Sequence, residues 1–370
     1  MGPLSETINR YVREGELWER IDGYRVRCLA CAHRCPIPSG FAGVCKVRFH
    51  RGGKLLVPWG YVVTQASEPI EKKPFFHVLP AALTVSFGML GCSLHCPYCQ
   101  NWNMSQVLRD PNAFARAHPA TADELLYPGR ALGAEAVVST YNEPLITAEW
   151  AVYVFKHARR QGMLTGVVSN GYATPQVLEY LRPWVDLFKV DLKTFSDRNY
   201  HRLGCRLEPV LDSVRLIHQL GFWLEVATLV VPGFNDSEDE LRAMADFLAS
   251  VSPEIPWHLI AFHKDYKMRG PRETTAEDLV RAAEIGRKTG LHYVYAGNLA
   301  GRVGDLENTR CPGCGALLIR RRGDRVIDYR LTADGRCPSC GTAIPGRWAD
   351  PLQRPIARRK GLAWLARYCG

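Results

Sequence analysis

The segment Met89-Leu90-Gly91-Cys92-Ser93-Leu94-His95-Cys96-Pro97-Tyr98-Cys99-Gln100-Asn101 sets three cysteines in a C-x3-C-x2-C array. Three thiolates can each hold one iron of a [4Fe–4S] cube and leave the remaining iron open. An open position is what catalytic metal sites keep for a substrate or cosubstrate. The alternative is a zinc knuckle, which would want a fourth ligand. His95 is the one nearby residue that offers it, and its place between two of the cysteines makes a closed tetrahedron awkward. Cys92, Cys96 and Cys99 are therefore the candidate catalytic ligands. The array directly follows an apolar run at 83–87, so it reads as a loop at the end of a strand.

Outward from that loop, apolar runs and helical patterns alternate. Candidate strands lie at 83–87, 136–139, 165–169, 187–192, 224–231, 258–262 and 293–296, and candidate helices at 148–161, 174–181, 210–220, 238–250 and 275–289. Thr174 before Pro175, and Ser237 with Glu240 three residues on, supply helix caps. Alternation at this spacing predicts βαβ units and a parallel sheet. Each strand ends in a polar or glycine-bearing group: Gly91-Cys92, Tyr141-Asn142-Glu143-Pro144, Ser169-Asn170-Gly171, Asp191-Leu192-Lys193, Pro232-Gly233-Phe234-Asn235-Asp236, His263 and Gly297-Asn298. Chemistry on α/β folds gathers at the C-terminal strand ends. The expected fold is α/β, a partial, open (β/α)6-type barrel with one continuous pocket at that end.

The C-x3-C-x2-C array, with Tyr98 just before its third cysteine, resembles the signature of the radical S-adenosylmethionine (SAM) superfamily. That resemblance implies that the open iron chelates SAM and that one electron cleaves it to methionine and a 5′-deoxyadenosyl radical, which abstracts hydrogen from a substrate. Val190-Asp191-Leu192-Lys193, Val230-Val231-Pro232-Gly233-Phe234 and Phe262-His263 resemble segments of glycyl-radical-enzyme activating proteins, such as the pyruvate formate-lyase activases. Tyr141-Asn142-Glu143-Pro144 stands where such enzymes carry a Gly-Gly-Glu-type motif that meets the SAM amino group. Within the superfamily the chain resembles the AmmeMemoRadiSam system enzymes. It does so through Cys99-Gln100-Asn101-Trp102, Pro256-Trp257-His258, Tyr293-Val294-Tyr295-Ala296-Gly297-Asn298 and both outer cysteine sets. The resemblance implies a flavodoxin or ferredoxin as electron donor, and an association with Memo-like and AMMECR-domain proteins.

Lys189, Asp191 and Lys193 fall at i, i+2 and i+4, which puts them on one face of a strand, opposite Phe188, Val190 and Leu192. Charges pointing into a barrel need partners. SAM brings a carboxylate, an ammonium, a sulfonium and hydroxyls; an internal salt-bridge ladder is the plainer alternative. Glu143 can accept from an ammonium, with Asn142 beside it. Tyr98 is a candidate neighbour of adenine. Asn170 suits ribose or carboxylate, although Asn-Gly is also ordinary turn chemistry. His263 is a candidate for ribose contact or proton relay. Trp150, Trp184 and Trp223 read as core or interface residues. The polar, Pro-bearing stretch 103–121 reads as a loop that could cover the site.

Two further cysteine sets flank this region. Cys311-x2-Cys314 and Cys337-x2-Cys340, with 22 residues between the pairs, form the pattern of a zinc ribbon, with strands at 316–320 and 326–330. Cys28-x2-Cys31-x3-Cys35 and Cys45 form another four-thiol set, which suits either structural zinc or an auxiliary iron–sulfur cluster. The expected division is 1–60 as a metal-stapled module, 61–304 as the barrel, 305–350 as the ribbon and 351–370 as a basic tail.

Composition agrees with this division. The 370 residues include 13 cysteines, eleven of them in the three sets; only Cys205 and Cys369 read as isolated thiols. Dense short-spaced cysteines point to metal ligation in a reducing compartment, so a cytoplasmic protein is expected. The N-terminus lacks the pattern of a secretory signal, and no apolar run is long enough to span a membrane. The formal net charge is +10, concentrated near the C-terminus in Arg320-Arg321-Arg322 and at 354–360. A basic surface of that kind suits either solubility or contact with nucleic acid. The leading expectation is a radical enzyme acting on a protein. RNA or a small molecule is the rival substrate, and a non-catalytic binding protein is the rival class.

Overall fold

The computed structural model describes residues 3–349 and 365–367, the last three as backbone. Its main sheet begins with β1 (Thr64–Pro69) and β2 (Leu83–Gly88), which are antiparallel. From β2 onward run six more strands, each parallel to the one before: β3 (Ala136–Ser139), β4 (Leu164–Ser169), β5 (Leu187–Asp191), β6 (Trp223–Val230), β7 (Trp257–Ala261) and β8 (Val294–Gly297). The spatial order is the chain order, and Leu365–Arg367 pairs antiparallel with β1 at the far edge. The sheet is therefore mostly parallel, and its seven strands in one direction are the seven apolar runs read from the sequence. β2 and β3 are buried throughout, as strands covered on both faces must be, which is why they read as continuous apolar runs.

The crossovers are α1 (Ala122–Ala131), α2 (Ala148–Arg160), α3 (Pro175–Leu181), α4 (Asp197–Leu203), α5 (Glu208–Gln219), α6 (Glu238–Val251) and α7 (Ala276–Lys288). Thr174 caps α3 by accepting from the Val177 amide at 3.2 Å. Ser237 likewise caps α6, but the expected return bond from Glu240 is absent. The Glu240 carboxylate instead accepts from the Phe195 amide at 2.7 Å and from the Thr194 hydroxyl. α1 was not anticipated, because Pro128 and Gly129 within it read as breakers. Gly129 has a packing reason: a Cβ there would lie 2.0 Å from Val85 Cγ2, so the helix meets β2 through bare backbone.

Residues of the first 60 positions, including Val26, Ile37, Val47 and Val57, join the same apolar core as the sheet. The C-terminal strands Thr309–Arg310, Leu317–Arg322 and Arg325–Tyr329 form a separate antiparallel sheet. The last two begin and end within two residues of the expected positions, and Thr309–Arg310 is an additional strand. Leu318, Ile319 and Tyr329 pack there against Phe76, Tyr293 and Tyr295 of the main body. Of the basic regions, 354–360 lies outside the described residues, as does Cys369. Arg321 is fully buried, not a surface charge. Trp150 is buried in the core, as expected.

A buried ion pair joins the first 60 residues to α2. Arg48 donates to both Glu149 oxygens, at 2.7 and 2.8 Å, and both side chains are 1% exposed. Burial acts against the charge on each. Their mutual attraction nonetheless holds Glu149 below the usual carboxylate range and raises Arg48. Removing one partner strands the other as a buried charge. Arg48→Ala is expected to cost about 3–5 kcal/mol in urea unfolding. Arg48→Met with Glu149→Leu should recover most of that loss, and a double variant as unstable as Arg48→Ala would contradict the account.

Candidate active site at the strand ends

A cavity of about 450 Å³ opens at the C-terminal ends of the parallel strands. Cys92, Cys96, Tyr98 and Cys99 line it after β2, Asn142 and Glu143 after β3, and Asn170 after β4. Lys189, Asp191 and Lys193 contribute from β5 and its continuation, and Asn298 after β8. All the expected pocket residues except His263 thus meet in one cavity. His263 does not line the cavity: its side chain is 53% exposed, and its Nδ1 lies 3.2 Å from Nε2 of the lining residue Gln100.

The cysteine loop lies outside the regular sheet, so other groups must satisfy its backbone. Asn142 Oδ1 accepts from the Met89 amide at 2.9 Å. The Pro97 carbonyl accepts from the amides of Lys267 and Met268 at 2.9 and 2.8 Å. Arg109 donates to Leu94 O at 3.1 Å and to Cys92 O at 2.7 Å. Gly91 sits at φ +89°, and a Cβ there would come 2.9 Å from the Cys45 carbonyl. Both the turn and the close approach therefore need glycine. His95, the candidate fourth zinc ligand, is exposed, and its amide donates to Leu203 O at 3.0 Å. The stretch 103–121 is partly ordered by its own bonds: Tyr266 Oη donates to Asp110 at 2.6 Å.

Glu143 is 2% exposed. It accepts from the Asn170 amide at 2.8 Å, the Ser169 hydroxyl at 2.7 Å and the Leu145 amide at 3.0 Å. Burial pushes its pKa up to about 7, against the pull of those donors. An incoming ammonium would restore the charge. Asn170 turns its Nδ2 to Ser93 Oγ at 3.0 Å, and Tyr98 packs edge-on to Phe234 with ring centroids 5.8 Å apart.

Asp191 stands between two ammoniums, 3.5 Å from Lys189 Nζ and 3.3 Å from Lys193 Nζ. The ladder and the pocket wall are thus one structure. Lys193 lies two residues past the end of β5, not within it as its spacing suggested. Burial lowers the Lys189 pKa; Lys193 is held well above its usual value by Asp191 and Cys96 despite burial.

Sequence reasoning missed a second polar group on the cavity wall. Lys73 pairs with Glu68, and Tyr141 Oη lies 3.0 Å from Lys73 Nζ and 3.0 Å from Glu68 Oε1. Tyr141 adopts φ +72°, unusual for a bulky residue. Its neighbourhood with Asn142 and Glu143 was the one sequence signal for it.

The C-terminal thiols are drawn together most tightly. Cys311 and Cys340 sulfurs are 3.5 Å apart, Cys314 and Cys337 sulfurs 3.7 Å, and all four lie within 4.8 Å of one another. Four sulfurs around one zinc at ~2.3 Å would be ~3.8 Å apart. Among the described residues no other group of three or more candidate ligands is so compact. In the N-terminal set, Cys28, Cys31 and Cys45 are buried and Cys35 is half-buried.

Residues 88–248 match the Radical SAM superfamily. The chain is 36% identical over 339 residues to an uncharacterized protein of Methanocaldococcus jannaschii, covering 90% of this chain and 99% of that one. It is 27% identical over 213 residues to a pyruvate formate-lyase-activating enzyme of Clostridium pasteurianum, covering 51% and 84% respectively. A solved radical SAM methyltransferase from Sphaerobacter thermophilus is similar at a TM-score of 0.46 and 14% identity, over 83% of this chain and 86% of that one. This chain belongs to the radical SAM superfamily, with homology to activating enzymes. Membership implies SAM and a [4Fe–4S] cluster as cofactors, and the residues fit them. One cavity brings together three thiols, a buried carboxylate suited to an ammonium, and lysines suited to a carboxylate. Among the described residues no helix is long and apolar enough to cross a membrane.

Replacing Asp191 with Asn leaves Lys189 and Lys193 facing each other. Asp191 is 37% exposed to the cavity, so screening moderates the effect. Asp191→Asn is expected to cost about 1–2 kcal/mol at pH 7. Lysines with folded pKa values below their unfolded ones bind fewer protons in the folded state, so stability then rises with pH. The deficit in urea unfolding should shrink between pH 7 and pH 10; a constant deficit would argue against repulsion as its cause.

Proposed function

We propose that the chain is a SAM-cleaving radical enzyme whose [4Fe–4S] cluster is held by Cys92, Cys96 and Cys99 at the open end of a partial (β/α) barrel. When bound, the cluster supplies the electron that converts SAM to methionine and a 5′-deoxyadenosyl radical, the species that takes hydrogen from a substrate. The observation that carries the reading is that the three thiols share one cavity with Glu143, Asn170, Lys189, Asp191 and Lys193. Glu143, whose pKa burial raises to about 7, would be held ionised by the SAM ammonium. Lys193 and Lys189 would face its carboxylate, Asn170 its ribose or carboxylate, and Tyr98 its adenine. Asn142 acts by fixing the start of the cysteine loop, and His263 stands outside the cavity lining, beside Gln100 at the rim.

Homology to activating enzymes supports a protein substrate, on which a backbone radical would form, with a flavodoxin or ferredoxin as electron donor. The AmmeMemoRadiSam assignment, and with it Memo-like and AMMECR-domain partners, rests on the motifs at 99–102, 256–258 and 293–298. Cys311, Cys314, Cys337 and Cys340 would hold a structural zinc in a ribbon spanning 305–350, supported by their sulfur spacing.

Anaerobic reconstitution with iron and sulfide, then dithionite and SAM, should give 5′-deoxyadenosine from the native chain and only background from Cys96→Ala. A reconstituted cluster that never yields it, with candidate partner proteins present, would refute the catalytic reading. Glu143→Gln should weaken SAM binding about tenfold, roughly 1.4 kcal/mol, by equilibrium titration. Cys314→Ser should lose one zinc per chain and leave the iron content unchanged.

A further inference from the structure

Cys28, Cys31, Cys35 and Cys45 satisfy the ligand count of either zinc or an iron–sulfur cube. Two features of their surroundings separate the choices. The first is spacing. The C-terminal thiols are gathered as a single zinc ion needs, whereas no three of the N-terminal sulfurs lie mutually within 4.8 Å. A cube spreads its four thiolates over four irons and so takes a wider set.

The second is position. The loop carrying Cys45 touches the loop carrying Cys92: the Cys45 carbonyl is the atom a Cβ on Gly91 would meet at 2.9 Å. Arg109 binds Val44 O and Cys92 O with one nitrogen. A ring nitrogen of His33 lies 3.0 Å from Ser93 O. The set also comes near solvent. Phe41 is 65% and Val44 40% exposed, and the Val44 amide donates to Cys35 Sγ at 3.5 Å. Amide-to-sulfur hydrogen bonds tune cluster potentials. A purely structural zinc would need neither the contact with the catalytic loop nor the exposed flank.

We propose that Cys28, Cys31, Cys35 and Cys45 hold a second [4Fe–4S] cluster that passes single electrons from a carrier protein toward the site of Cys92, Cys96 and Cys99. Four thiolates leave no open iron, which suits electron transfer and not SAM binding. The flavodoxin- or ferredoxin-class carrier is oxidised by one electron as the outer cluster is reduced. The outer cluster is then reoxidised as the inner one is reduced, and no bond forms or breaks. The metal assignment stands by itself; the relay rests on the proposed function.

The test uses the full chain carrying Cys92→Ala, Cys96→Ala and Cys99→Ala, reconstituted anaerobically, with circular dichroism as a check on folding. About four iron and four sulfide per chain are expected, with an electron paramagnetic resonance signal on dithionite reduction. Adding Cys28→Ser and Cys45→Ser should abolish both. In an otherwise native chain the same two serines should lower bound iron from about eight to about four. Zinc in place of iron, or no metal, at these four cysteines would overturn the assignment. For the relay, Cys28→Ser with Cys45→Ser should leave dithionite reduction of the inner cluster unchanged and slow its reduction by the carrier at least tenfold, followed by visible absorbance. Equal carrier rates would overturn the relay. Normal cluster reduction in both proteins without any 5′-deoxyadenosine would count against the proposed function and not against this assignment.

Discussion

The guanidinium of Arg109 gathers the carbonyls of Val44, Cys92 and Leu94, and the cavity depends on that convergence. These carbonyls belong to loops, where no neighbouring strand can satisfy them. A charged donor with a fixed fork suits the task better than a lysine, because one planar group can bind several acceptors at set angles. The arrangement fixes the cysteine loop against the N-terminal segment before any cofactor arrives. The Asn142 amide oxygen and the Lys267 and Met268 amides complete the restraint from the other side. The loop is thus held from several directions while its sulfurs remain open to the cavity.

The parallel sheet explains why so much charge can stand in one place. Helices cover one face of β5 and bury Phe188, Val190 and Leu192 completely. The alternate positions then have nowhere to point but inward. Lone charges there would be costly, and the Lys189–Asp191–Lys193 sequence resolves the cost within itself. Glu143 follows a different route: burial raises its pKa to about 7 against the pull of three hydrogen-bond donors and of Lys193. One wall of the cavity therefore holds two lysines that share one carboxylate and keep a positive excess, and the other holds a group whose charge depends on what binds. A zwitterionic ligand matches that division.

Much of this was legible in the sequence, for identifiable reasons. Metal-ligating cysteines sit at short, fixed spacings, and buried parallel strands are apolar runs whose ends differ from observation by only one residue or so. What escaped had a tertiary origin. β1 reads Thr64-Gln65-Ala66-Ser67-Glu68-Pro69, a poor strand by composition, yet it pairs along the whole of β2. Glu68 and Lys73 reach Tyr141 from some seventy residues away in sequence, and no local pattern announces such a meeting. His263 differs in another way. Its place after β7 suggested the cavity, but the Phe262 amide donates to Thr274 Oγ1 at 3.1 Å, and the half-exposed imidazole lies beside Gln100 instead of among the lining residues.

The C-terminal antiparallel sheet is coupled to the cavity by buried polar contacts and not by apolar packing alone. Glu225 on β6 accepts from the amides of Phe76 and His77, each at 3.0 Å, from Trp223 Nε1 at 3.0 Å, and pairs with His258 Nε2 at 2.6 Å. Burial works against its charge, but the His258 contact keeps its pKa below the usual carboxylate range. From the side of the C-terminal sheet, Arg321 donates to Phe76 O at 2.6 Å and to Thr309 Oγ1 at 2.8 Å, while His77 Nδ1 lies 2.7 Å from Pro345 O. Burial pushes the His77 pKa down to about 4, so a neutral imidazole bridges Pro345 and Tyr295. Phe76 and His77 are thus gripped by the main sheet and by the C-terminal segment. Just before them in the chain, Lys73 and Pro74 line the cavity. A C-terminal segment that lost its fold would release half of that grip within a few residues of Lys73, so the four distant cysteines bear on the shape of the cavity without lining it.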